Sequence, residues 1–344
     1  MEVRPVGEES LGVRSMCLYV ETRDVRILFD AGVSLAPRRF GLPPHPRELE
    51  RARAVRAEIL RLAEGADMVA ISHYHRDHFT PWYPSTYMAT DGETYKKVYG
   101  GKKVLAKSPH DLNWSQRRRH HGLARALQVV GSGVVYADGE EWRFGGTVVR
   151  ASQSLWHGPA GSKTGRVVAF AVLDGKERLA FVPDVEGPVE PEPVAFLREL
   201  RPTIVVLGGP PTYLNWDLAK ALAYLREVVD LGPEVLVLAH HLLRDVAWRE
   251  RVSPVLEYAE RRGVSVTTYA GLLGRGEELL EARRRELYQA EPAEAVAGDE
   301  YEEEQAGVSR RGWGRGEGRV AGVGLCASVG WLMEVGMFMT FSWF

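Results

Sequence analysis

The segment Ile71-Ser72-His73-Tyr74-His75-Arg76-Asp77-His78 constrains this chain more than any other stretch of it. Three histidines and an aspartate follow directly on the apolar run Asp67-Met68-Val69-Ala70-Ile71. Side chains two apart in an extended segment point the same way, so His73 and His75 can grip one ion together. Asp77 and His78, where the chain turns, can face a second ion. Imidazole and carboxylate are ligands that a borderline metal such as zinc accepts. A histidine-rich surface loop is the bland alternative, but it does not explain why matching partners recur downstream.

Those partners sit at the ends of apolar runs. Asp30 follows Val25-Arg26-Ile27-Leu28-Phe29, and His157 follows Ser152-Gln153-Ser154-Leu155-Trp156. Asp184 ends Leu179-Ala180-Phe181-Val182-Pro183, while His240 and His241 end Val235-Leu236-Val237-Leu238-Ala239. Strand ends gather at one rim of a sheet, so these residues are expected to converge. If the last strand continues, only one of His240 and His241 faces the ions. His240 leaves the strand first and is the preferred ligand.

Residues 1–276 read as one α/β unit. Extended segments are expected at 16–20, 25–29, 66–71, 103–106, 133–137, 147–151, 166–173, 178–183, 203–207, 234–239 and 264–269. Helices are expected at 46–64, 111–130, 192–200, 215–231, 245–262 and 277–290, with Pro46 and Gly65 bounding the first and Asn215 capping the fourth. Asp138-Gly139 and Asp174-Gly175 carry hairpin-turn chemistry. A hydrophobic fraction of 45% suits a globular enzyme, and a net charge of −2 gives no basic field that would announce a nucleic-acid partner. Cys17 and Cys326 alone exclude a disulfide framework and suit a reducing cytoplasm. The opening Met1-Glu2-Val3-Arg4-Pro5 lacks the pattern of a secretory signal.

Residues 277–319 read as a helix and then a flexible linker, with Glu302-Glu303-Glu304 followed by Arg310-Arg311-Gly312-Trp313-Gly314. In 320–344 Glu334 is the only charge. As a helix this tail would extend about 37 Å, enough to cross a bilayer core. Four glycines and Glu334 oppose that, so a disordered or frame-shifted tail is preferred over a membrane anchor.

The order and spacing of these motifs resemble the metallo-β-lactamase superfamily, whose hallmark is His-x-His-x-Asp-His. The resemblance covers about residues 10–270 and implies an α/β fold, a four-layer αββα sandwich with metals at one edge of its two sheets. By position it implies that His73, His75 and His157 bind one ion and that Asp77, His78 and His240 bind another. Asp184 would bridge the two, and Asp30 would orient the histidine loop. Flavo-diiron members typically carry glutamate where this chain has His75. The histidine therefore favours two zinc ions and hydrolysis, with manganese or iron left open. The whole chain is also similar to an archaeal branch of the superfamily through Leu11-Gly12-Val13-Arg14-Ser15, Phe40-Gly41-Leu42-Pro43-Pro44-His45-Pro46 and Gly209-Pro210-Pro211-Thr212-Tyr213. That closer match supplies no activity.

Two ions that share a water lower its pKa from 15.7 to about 7 and provide a nucleophile without serine or cysteine. Asp77 and Asp184 are the residues expected to act in that chemistry, Asp77 as a proton relay. His240-His241-Leu242-Leu243-Arg244-Asp245 is similar to a His-Phe-Ser-x-Arg-Tyr stretch of transfer-RNA 3′-end endonucleases, matching at histidine and arginine only. Arg244 can neutralise a phosphate, or simply pair with Asp245 or Glu250. His241 is a second substrate-side candidate. Arg117-Arg118-Arg119 with Trp114 suits a phosphate backbone and a stacked base, and equally a charged helix face. His45, His110, His120 and His121 are read as structural or substrate-side residues. Trp82, Tyr83 and Tyr87 are read as a lid or as cover for a small core.

The leading expectation is a cytoplasmic dinuclear metallohydrolase cleaving a phosphodiester in RNA or a small phosphate ester, with a homo-oligomer left open. A metal-dependent lactonase or related carbonyl-ester hydrolase is the alternative. A non-catalytic metal-binding scaffold is the alternative of another class, opposed by the full ligand set.

Overall fold

Alternation of apolar side chains along the strands decides the architecture. The computed structural model describes residues 1–214 and 218–294. The expectations for Asn215 and for the tail beyond 294 lie outside the described residues.

The first half runs β1 (Glu2–Gly7), β2 (Cys17–Glu21), β3 (Arg26–Phe29), α1 (Pro46–Gly65), β4 (Met68–Ile71), a short pair β5 (Pro84–Ser85) and β6 (Thr90–Asp91), α2 (Thr94–Tyr99), β7 (Lys103–Ala106), α3 (Trp114–Val129) and β8 (Val134–Tyr136). The second half begins β9 (Glu141–Phe144), β10 (Thr147–Ala151), a short pair β11 (Leu155–Trp156) and β12 (Arg166–Val167), β13 (Phe170–Asp174) and β14 (Glu177–Val182). It continues α4 (Pro191–Leu200), β15 (Ile204–Gly208), α5 (Ala219–Asp230), β16 (Val235–Ala239), α6 (Trp248–Arg251), α7 (Ser253–Arg261), β17 (Ser265–Thr267), α8 (Tyr269–Leu272) and α9 (Arg284–Ala290). One sheet has the order β1-β2-β3-β4-β7-β8 and the other β17-β16-β15-β14-β13-β10-β9.

Successive strand residues point to opposite faces, and three apolar layers follow. Leu18, Val20, Ile27, Phe29, Met68, Ala70 and Leu105 face the other sheet, where they meet Phe170, Val172, Leu179, Phe181, Val206 and Val237. Phe29 anchors this layer, with its ring centroid 5.6 Å from Phe170 and 5.4 Å from Phe181. The intervening residues Cys17, Tyr19, Leu28, Val69, Ile71 and Val104 turn outward onto Leu49, Ala52, Val55, Ile59 and Leu62 of α1 and Leu123 and Leu127 of α3. On the second sheet Ala180, Val182, Val205, Leu207, Leu236 and Leu238 turn outward onto α4, α5 and α7. The result is the expected four-layer αββα sandwich. Strands β3, β4, β7 and β8 are parallel, as are β14 to β17.

Several elements differ from expectation. Asp138-Gly139 joins β8 to β9, which lie in different sheets, so it is a crossover and not a hairpin. Asp138 instead takes the Ser108 N–H at 2.6 Å and the buried Lys107 ammonium at 2.5 Å. Asp174-Gly175 does form the β13–β14 hairpin. The segment 166–173 breaks into two strands. The helix over 245–262 breaks at Val252, the cap of α7, with Pro254 in its first turn. Packing also continues past 276. Arg284, fully buried, donates to both Glu48 oxygens at 2.8 Å, and Arg14 grips Glu281 at 2.5 and 2.6 Å.

Candidate metal centre

Parallel strands deliver the site. β3, β4, β14 and β16 end at Phe29, Ile71, Val182 and Ala239, and the metal-competent residues begin just beyond them. Three of them, Asp30 (φ 43°), Asp184 (φ 51°) and His240 (φ 63°), occupy the left-handed backbone region, as does Glu186 (φ 52°). Non-glycine residues rarely sit there, because Cβ crowds the backbone.

Asp184 is the hub. Its Oδ2 lies 3.0 Å from His73 Nε2 and 3.1 Å from both His78 Nε2 and His157 Nε2. Its Oδ1 lies 3.1 Å from His240 Nε2. Asp77 is 3.6 Å from His240 Nε2 and 3.8 Å from His78 Nε2. Ligand atoms of His73, His75, His157 and Asp184 all fall within 4.8 Å of one another, as do those of Asp77, His78 and His240. A third such group joins Asp184, His240 and His241. The structure thus brings together all seven residues expected as ligands. It also draws in His241, because β16 stops at Ala239 and a 3-10 turn, His240–Arg244, replaces the strand. Both rings therefore flank the site.

The donor set fits divalent cations. Asp184 Oδ1 and Oδ2, His73 Nε2 and His157 Nε2 are buried yet make no hydrogen bond among the described residues. A buried carboxylate that accepts no hydrogen bond is expensive, and a pair of cations would relieve it. Burial opposes ionisation of Asp184, but His240, His78, His157 and His73 hold it well below the usual carboxylate range. Burial, helped by the neighbouring charges of His78 and His157, drives His73 down to about 3 against the pull of Asp184, leaving a neutral imidazole ready for a metal. Burial also disfavours the cations of His157 and His240, yet Asp184, joined by Glu186 at His157 and by Glu9 at His240, outweighs it and raises both to about 9.

Around this cluster stands a ring of orienting groups. Asp30 takes the Ser72 N–H at 2.7 Å and lies 2.7 Å from His78 Nδ1, the position the resemblance implied for it. Glu9 takes His240 Nδ1 at 3.0 Å and Arg244 Nε at 2.7 Å. Glu8 takes the His240 N–H at 3.2 Å, and burial beside Glu9 pushes its pKa up to about 8. Glu186 lies 3.3 Å from His157 Nδ1 and 3.4 Å from His241 Nδ1. Sequence reasoning missed Glu8, Glu9 and Glu186. The Asp184-Val185-Glu186 spacing was the one local hint, and nothing near Glu8-Glu9 marks their partners more than 230 positions away.

Arg244 is buried, with Nε on Glu9 and Nη2 3.4 Å from Asp77. Its pairing is therefore with these carboxylates and not with Asp245 or Glu250. Arg117 stands apart from the cluster and donates to Leu112 O. Its neighbour Arg119 reaches the histidine loop, donating to Tyr74 O at 3.2 Å. His110 and His121 are exposed, His120 lies 3.1 Å from the Tyr136 hydroxyl, and His45 caps α1. Trp82 sets its ring close against Gly122 of α3 and packs on the core, so it covers that core. Thr212 of the Gly-Pro-Pro segment donates to Asp245, which fixes that segment beside the histidine turn.

A model of the β-lactamase superfamily domain matches residues 25–241. The chain belongs to the metallo-β-lactamase superfamily. Within it the chain belongs with the UPF0282 proteins. That of Pyrobaculum aerophilum is 77% identical over 303 residues, covering 88% of this chain and 100% of the relative. That of Methanopyrus kandleri is 42% identical over 294 residues, covering 83% and 99%. A solved metal-dependent hydrolase of the β-lactamase superfamily superposes with TM-score 0.45 at 14% identity, covering 77% of this chain and 94% of its own. The chain therefore has a hydrolase-like superfamily fold and a histidine–aspartate cluster able to hold divalent metal. Among the described residues no helix is long and apolar enough to cross a membrane.

Proposed function

We propose that this protein is a dinuclear, zinc-dependent phosphodiesterase acting on RNA or a small phosphate ester in a cytoplasmic setting. The observation that carries the reading is the two-sided Asp184 carboxylate. One oxygen faces His73, His78 and His157, and the other faces His240. A carboxylate so shared is suited to joining two cations. Ions bound there would supply an activated water and polarise the phosphoryl oxygen.

The chain's own residues do the rest. Asp77, kept ionised by His78, His240 and Arg244 despite its burial, is positioned to take up and relay a proton. Burial drives His241 down to about 4, so it is neutral at pH 7. With Nδ1 beside Glu186, its Nε2 is the nitrogen available for proton exchange with the substrate. Support for a polymeric substrate comes from α3. Trp114 is 75% exposed, and the Arg118 guanidinium stands 5.6 Å from its ring. Gln116 ties the same helix to the histidine loop through Tyr74 N at 3.2 Å. An aromatic face beside a cation suits a stacked base and its phosphate.

The test compares zinc-loaded wild type with Asp184→Ala on bis(p-nitrophenyl) phosphate, a short single-stranded RNA and a simple lactone. Phosphodiester turnover that disappears with Asp184→Ala is expected. A fully zinc-loaded protein that opens the lactone and leaves both phosphodiesters intact would refute the reading.

A further inference from the structure

Two arginines belong to the histidine-bearing turns, and their surroundings differ. Arg244 is occupied by Glu9 and Asp77. Arg76 lies between His75 and Asp77, so it projects from the peptide that carries a candidate ligand on either side. Its Nε and Nη2 are buried, and neither has a hydrogen-bond partner among the described residues. A guanidinium stays charged at any physiological pH, and burying its donors unpaired costs free energy. Such a cost at a ligand-bearing loop needs a reason.

Other arginines of the same chain show what that edge does. Arg14, Arg26, Arg51, Arg61 and Arg284 each turn Nε and Nη2 onto a single carboxylate, of Glu281, Asp67, Glu278, Glu58 and Glu48 respectively. Two coplanar donors meet two oxygens of one anion, the strongest and most directional pairing open to arginine. Arg76 presents the same pair of atoms and has no carboxylate. A phosphodiester carries two non-bridging oxygens that match the fork, whereas a neutral lactone carries none.

We propose that Arg76 is the oxyanion-recognition residue of this site, its Nε–Nη2 edge taking two oxygens of the substrate phosphate. The proposal rests on the metallohydrolase reading and deepens it. Arg76 extends from the ligand loop itself, between the candidate ligands His75 and Asp77.

The experiment titrates inorganic phosphate calorimetrically into zinc-loaded full-length wild type, Arg76→Met and Arg76→Lys, with zinc per chain measured in the same samples. Wild type is expected to bind phosphate. Arg76→Met should weaken binding about tenfold or more, and Arg76→Lys, which keeps the charge without the fork, should weaken it less. Zinc content should be the same in all three. The denaturant midpoint of Arg76→Met should not fall, since the substitution removes unpaired donors; an arginine with a structural role would lower it. Unchanged phosphate affinity in Arg76→Met overturns the proposal, and so does loss of zinc from that variant. Wild type that holds no zinc yet loses phosphate binding on Arg76→Met would sink the metallohydrolase reading and leave Arg76's role standing.

Discussion

Gly32 touches no ion-binding side chain, yet its replacement should empty half of the metal site. A Cβ at Gly32 would stand 2.4 Å from Phe79 N and 2.5 Å from both Asp77 C and Asp77 O. Heavy atoms in ordinary contact sit about 3.5 Å apart, so Gly32→Ala demands a separation of about 1 Å. The Gly32 side is pinned: Ser15 Oγ donates to Gly32 O at 2.6 Å, Arg56 donates to Ala31 O at 3.1 Å, and Asp30 N donates to Ala70 O at 2.8 Å. The 77–79 backbone is therefore the part that yields.

Ligand distances tolerate roughly 0.2 Å, about a fifth of that displacement. Asp77 and His78 belong to the group with His240, while His73, His75 and His157 group with Asp184 and do not ride on residues 77–79. Gly32→Ala should therefore lower zinc stoichiometry from about two to about one per chain. An overpacking cost of about 1–3 kcal/mol should leave the chain folded. The assay strips metal with a chelator, titrates zinc against a fluorescent indicator and counts bound ions after dialysis, with circular dichroism as the check on folding. A folded Gly32→Ala that binds two ions at wild-type affinity would refute the steric argument.

Three further outcomes are expected. In the metal-free protein burial disfavours the imidazolium but Asp184, with Glu186 and Glu9 beside it, holds His157 and His240 at about 9, so each must lose a proton before it ligates. Apparent zinc affinity should climb as pH rises toward that value, and calorimetry at neutral pH in buffers of different ionisation enthalpy should reveal proton release; a flat pH profile contradicts this. Glu9→Ala should weaken zinc binding about 10–100-fold wherever His240 is a ligand, because His240 loses the carboxylate that fixes its ring, and competitive titration reads it directly. Glu48→Ala strands the buried Arg284 and should cost about 3–5 kcal/mol in chemical denaturation while zinc affinity stays unchanged.

The sandwich could be read in advance because its information is local. Ile27-Leu28-Phe29 and Met68-Val69-Ala70-Ile71 are apolar on both faces, which only a strand covered on two sides requires. Elements that depend on partners were harder to see. β1 was hidden by Pro5, and it pairs with β2 through a register shift between Pro5 and Gly7, the place an edge strand can accept proline. α2 has six residues, too few to show a period. Most ligands were legible for the same reason as strands, since the histidine loop, Asp184 and His240 each follow an apolar run, whereas His157 follows only the two-residue β11.

The carboxylates that orient those ligands were not legible, and the physics explains why. Glu9 precedes β2 of one sheet and His240 follows β16 of the other, and the packing of two sheets, not any motif, sets their pairing. Backbone strain marks both kinds of residue alike. Of the eight non-glycine residues in the left-handed region among the described residues, Asp30, Asp184, Glu186 and His240 cluster here. Each such conformation costs on the order of 1 kcal/mol or more and persists only when the surroundings over-determine it. Here the surroundings are the strand ends, which fix where the chain must turn, and the ligand cluster, which fixes where its side chains must point. Strain, unpaired buried oxygens on Asp184 and unpaired nitrogens on Arg76 then share one physical origin. The fold holds groups of both charges in place for species that only binding can bring.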